Sequence, residues 1–83
     1  MTPEKARDRA AKADQLQRDE AFQLVMAEIR DAQNRVFLNG DASQEAVMEA
    51  HRMIRALGLI DGHIRSMKSD AAILNRKENQ DRG

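Results

Sequence analysis

Ala46, Ala50, Met53, Leu57, Ile60, Ile64 and Met67 recur at alternating steps of four and three, with no polar residue interrupting the row. Such spacing lays an apolar stripe along one face of a helix, in the manner of a coiled-coil seam, and a stripe of that kind needs another helix to cover it. Gly58 and Gly62 fall within the same segment, each at a cost of about 1 kcal/mol relative to Ala. Their GxxxG spacing permits close helix contact in membranes. Arg52, Arg55, Asp61 and Arg65 on the same helix exclude a span, which leaves tolerated glycines or, more sharply, close packing of another helix.

The covering helix is found upstream. Phe22, Val25, Ile29, Ala32 and Val36 repeat at threes and fours, and Met26 widens their stripe. Between the two patterns stands Leu38-Asn39-Gly40-Asp41, where Asn-Gly supplies a left-handed close and Gly40 is the expected residue just past the helix end. Asp41 and Gln44 have capping-box spacing, with Ser43 as a competing cap. Helix, short turn and helix make an antiparallel hairpin with its turn at 39–43. The expected seam is Phe22, Val25, Ile29 and Val36 against Met53, Leu57, Ile60, Ile64 and Met67.

Residues 1–18 read as a charged, Ala-rich helical extension. Thr2 can cap, Pro3 suits the first helical position, and Glu4 favours the positive end of the dipole. Ala6, Ala10, Ala11 and Ala13 are its small residues and Leu16 its one large apolar residue, so it is expected to be solvated or to order against something else. Asp19 could cap a new helix, but the expectation is one continuous helix with a bend near Gln17 to Asp19, the hairpin unit covering 19–68. Residues 69–83 are expected to form a short helix through Ala71, Ala72, Ile73 and Leu74 and then a polar tail. The fold class is therefore all-α.

Composition limits what such a hairpin can do. Eighty-three residues make one domain at most, and a scaffold of this size normally needs a disulfide, a metal or association to stabilise it. Cysteine is absent, and His51 and His63 are too far apart to share a helical face as i and i+4 ligands. No metal and no cofactor is expected. Fourteen basic and fourteen acidic residues cancel, and Phe22 and Phe37 are the only aromatics, so nucleic acid is the less favoured partner. The chain has neither an apolar stretch long enough to span a bilayer nor the apolar run of a signal peptide at its start; neither a membrane role nor export by a signal peptide is expected.

Catalytic constellations are missing as well. Asp19/Glu20 and Glu45/Glu49 are paired carboxylates of the sort that usually sit solvated on helices. Neither histidine adjoins a nucleophile motif, and no phosphate-cradling glycine loop occurs. An enzyme with a small-molecule substrate is not expected. Arg52, Arg55, Arg65 and Lys68, near His51, form the one basic face, read first as a solvated face and second as an anion contact. More informative are Leu24, Phe37, Leu38, Val47, Met48, Ile54 and Leu59, which lie wholly or partly outside the two seams. Those that the N-terminal segment does not cover form a candidate partner surface for self-association or for docking on a larger assembly.

Asp19-Glu20-Ala21-Phe22, Ile29-Arg30, Asn39-Gly40-Asp41, Met53 through Leu57, and His63-Ile64-Arg65-Ser66 together resemble short helical proteins that tailed bacteriophages encode among their head, packaging and tail genes. The resemblance implies a small virion or virion-assembly component, placed in the virion or in the host cytoplasm. It brings no functional residues with it. The alternatives are a small nucleic-acid-binding regulator and an inhibitor of a host enzyme.

Overall fold

The computed structural model describes residues 1–82. Three helices follow one another, α1 (Pro3–Arg18), α2 (Glu20–Leu38) and α3 (Gln44–Arg82), and the fold is all-α. Each start has a local cause. The Thr2 hydroxyl accepts from the Lys5 backbone N–H at 3.2 Å, with Pro3 in the first turn. Asp19 leaves α1 in extended conformation, and its carboxylate accepts from the Phe22 N–H at 2.9 Å. The chain thus breaks at this one residue, and α1 and α2 are two helices rather than one bent helix.

At the hairpin end the Asn39 side chain accepts from the Asp41 N–H at 3.0 Å, and the Asn39 carbonyl accepts from Ala42 at 3.1 Å. These two bonds close the turn without any left-handed residue, so the expected left-handed Gly40 does not occur. Ser43, not Asp41, caps α3, its hydroxyl accepting from the Ala46 N–H at 3.1 Å.

Once started, α3 runs 39 residues without a break. At 1.5 Å per residue that is about 58 Å, close to the 62 Å long axis of the molecule. The segment 69–82 is its last third rather than a separate short helix and tail; Gly83 lies outside the described residues. α2 packs along the first half of α3 and α1 along the second. The whole chain is therefore one long hairpin, with one arm jointed at Asp19 and the other continuous.

Buried positions show which faces meet. On α3 they are Ala50, Leu57, Ile64 and Ala71, with Val47, Ile54, Asp61, Lys68 and Leu74 half-buried beside them. On the jointed arm they are Ala6, Ala13 and Met26, with Phe22, Ile29, Gln33 and Val36 half-buried. The expected seam is thus turned by one helical position. Phe22, Ile29, Val36, Leu57, Ile64 and Met67 are at least half-buried, but Val25, Met53 and Ile60 are 52%, 38% and 43% exposed. In their place Met26 and the pair Val47 and Ile54 turn inward, so Val47 and Ile54 do not belong to an outer surface.

Two polar residues are accommodated in this register. The inward row that begins Val47 and Ile54 continues through Asp61 and Lys68, which apolar periodicity rejects. Each finds a partner across the hairpin. Arg30 reaches Asp61 at 3.1 Å, while the Lys68 ammonium donates to Asp14 at 3.1 Å and Gln17 at 2.9 Å. Partnered charges at the rim of a helix pair are tolerated because their heads remain partly wet while their stems pack.

Candidate protein-interaction surface

The register divides the hairpin into two unlike edges. Residues that immediately follow an inward-facing one line the first: Arg7, Asp14, Arg30 and Phe37 on the jointed arm, His51 on α3. Among the described residues, every side-chain bridge between α3 and the jointed arm uses this edge or the row beside it. Arg7 pairs with Glu78 and donates to Asn75 at 3.0 Å, Asp14 and Gln17 hold Lys68, Arg30 holds Asp61, and the Phe37 and His51 rings lie 4.7 Å apart. These contacts bridge the polar edge at intervals, while Gly58 and Arg65, in the same row, are exposed.

Residues that immediately precede an inward-facing one line the second edge. They are Leu16, Val25 and Ala32 on the jointed arm, and Ala46, Met53, Ile60, Met67 and Leu74 on α3. In antiparallel packing these two rows face out on the same side. Leu16, Val25, Met53 and Ile60 are exposed, whereas Met67 and Leu74 are half-buried. Near its far end the edge opens into a shallow apolar groove of about 270 Å³, lined by Met1, Asp70, Ile73 and Leu74. Arg9, also on this side, directs a guanidinium N–H at the Met1 sulfur, 3.3 Å away. The row of apolar side chains thus continues for most of the molecule's length.

Other residues singled out from sequence fall elsewhere. Leu24, Met48 and Leu59 stand exposed on the outer faces of α2 and α3, Leu59 at 68%. Phe37 is 38% exposed and packs on His51, on the polar edge. The four cations Arg52, Arg55, Arg65 and Lys68 do not make one basic face. Lys68 is engaged between α3 and α1, Arg52 pairs with Glu49 at 3.4 Å, and Arg55 and Arg65 are exposed. Gly58 and Gly62 have open space where a Cβ would stand, so no close helix contact occurs at either within the chain. Among the described residues there is no group of three or more His, Asp or Glu placed to hold a metal ion, and no helix is long and apolar enough to cross a membrane.

The apolar edge is the feature that reading the sequence missed as a surface. Its residues were assigned to the interior because Met53, Ile60 and Met67 share a stripe with Leu57 and Ile64. The signal that distinguishes them is Asp61 and Lys68, spaced seven apart, with compatible partners Arg30 and Asp14 on the opposite arm.

Comparison with protein-family models, with curated proteins and with solved structures gave no match for this chain.

Proposed function

We propose that this chain is a non-enzymatic helical protein-interaction component, working as an oligomer or docked on a larger assembly. The observation that carries the proposal is the apolar edge, whose Leu16, Val25, Met53 and Ile60 are exposed on a hairpin that makes its cross-helix bridges on the opposite edge. The interior supports it. Among the described residues seven are buried, four of them alanines, and no large side chain is fully buried. An interior this thin supplies little of the burial that stabilises small domains. Added protein surface on the open edge would supply more.

The resemblance to short proteins of tailed-phage head, packaging and tail genes suggests the setting, a small virion or virion-assembly part in the virion or host cytoplasm. Contact with nucleic acid through the basic residues draws less support, since Lys68 is already held by Asp14 and Gln17.

Sedimentation velocity together with binding of an apolar fluorescent dye tests the proposal. The purified chain should sediment above its 9.4 kDa monomer mass, or, where it is monomeric, bind the dye strongly through the open edge. A cooperatively folded monomer that binds no dye at high concentration would overturn it.

A further inference from the structure

From the apolar edge we infer a specific occupant, a second copy of this chain, paired antiparallel about a two-fold axis that passes beside Ile60. This rests on the interaction reading above and names the partner for the same surface.

Three observations favour a second copy. The first is the order of side chains along α3. Met53, Ile60 and Met67 are spaced seven apart and read the same in both directions. A two-fold axis at Ile60 sets Ile60 on its own copy and Met53 on the other chain's Met67. In an isologous interface residue i meets j and j meets i, and here that pairing sets methionine on methionine and Ala46 on Leu74, apolar on apolar at each step. Methionine suits the flanking positions because its flexible thioether fills irregular gaps.

The second observation is area. A compact monomer of this mass exposes about 5,000 Å², whereas this chain exposes 6588 Å². The surplus, about 1,600 Å², is twice the roughly 800 Å² that each partner contributes to a stable interface. Shape agrees with area: the radius of gyration is 18.0 Å, against about 12 Å for a compact domain of this length.

The third is the division of polarity between the edges. The bridged edge uses Arg7, Asp14, Arg30, Asp61, Lys68 and Glu78 within the chain. The open edge presents exposed Leu16, Val25, Met53 and Ile60, with Met67 half-buried beside them, a row that desolvates at little cost. Two such hairpins laid edge to edge form a four-helix bundle, in which each helix meets two neighbours.

Absence of cysteine makes the geometry directly testable, because any introduced thiol is the only one in the chain. Under mild oxidation Ile60→Cys should cross-link to its own copy. Leu59→Cys, on the outer face of the same helix, should stay monomeric on a non-reducing gel. Met53→Cys and Met67→Cys should cross-link when mixed and not when oxidised separately. Sedimentation of the unmodified chain should show a two-chain species, and Ile60→Asp should weaken its association by more than about tenfold, with helicity by circular dichroism kept. Leu59→Asp should leave the association intact.

A concentration-independent monomer overturns self-pairing. If that monomer still binds the apolar dye, the wider interaction reading stands and the edge belongs to a different protein. A monomer that binds none overturns both. Self-cross-linking of Met53→Cys alone, or association lost with Leu59→Asp and kept with Ile60→Asp, would equally overturn this interface.

Discussion

Gly58 and Gly62 stand on α3 where an added Cβ meets nothing within 4 Å. A helical glycine gives up backbone freedom on folding and returns no packing, which costs about 1 kcal/mol relative to alanine. Gly58→Ala and Gly62→Ala are each expected to raise unfolding free energy by up to about 1 kcal/mol, read by urea denaturation at fixed protein concentration. A loss at either site would mean that something packs close to it. Asp19 works in the opposite sense. Its carboxylate takes the Phe22 N–H at the single joint between α1 and α2, so Asp19→Ala should cost about 1 kcal/mol and Asp19→Asn much less, seen as a lowered melting temperature for the alanine variant alone. Thr2 was legible as a cap, because capping is decided within three residues of sequence, whereas Asp19 was expected to bend a continuous helix and instead ends one helix and caps the next. Gly40 was misread because two bonds from Asn39 close the turn, and these relieve Gly40 of any left-handed conformation.

Whole helices were legible to a different degree. α2 and the first half of α3 announce themselves by large apolar residues at threes and fours. α1 does not, yet it packs along the second half of α3 as far as Glu78. Its inward row is Pro3, Ala6, Ala10, Ala13 and Gln17, the same three-four spacing written in small residues. A count of large apolar residues passes over such a row, although alanines let two helix backbones approach closely. Ala6 and Ala13 are both buried, and Ala71 answers them from α3. The polar stretch after Lys68 is helical for the same reason, since Asn75 and Glu78 are held by Arg7. It follows that α3 beyond Asp61 depends on α1. Removing residues 1–18 should strip amide-exchange protection from residues 65–80 while leaving 47–57 protected by α2. Hydrogen exchange read by mass spectrometry checks this, and persistence of protection over 65–80 would show that α3 holds its length unaided.

On the scale of the whole molecule, two unlike edges imply two unlike responses to solution conditions. Arg7–Glu78, Lys68–Asp14 and Arg30–Asp61 are partly exposed ion pairs on the polar edge. Pairs of that kind are worth about 1 kcal/mol or less and weaken as salt screens them. The apolar edge responds to salt in the opposite direction, because excluded salts such as sulfate strengthen apolar burial. Raising ionic strength with sodium sulfate should therefore loosen the bridges within each hairpin and tighten the association between hairpins. Shape keeps the two responses apart. The 18.0 Å radius of gyration is set almost wholly by the 62 Å long axis, so side-by-side pairing doubles the mass and barely changes that radius. End-to-end pairing would roughly double both. Small-angle scattering across a concentration series in sulfate should show forward intensity rising towards twofold at a nearly constant radius of gyration. A radius that climbs with the mass would place the contact at the helix ends and remove the apolar edge from the interface.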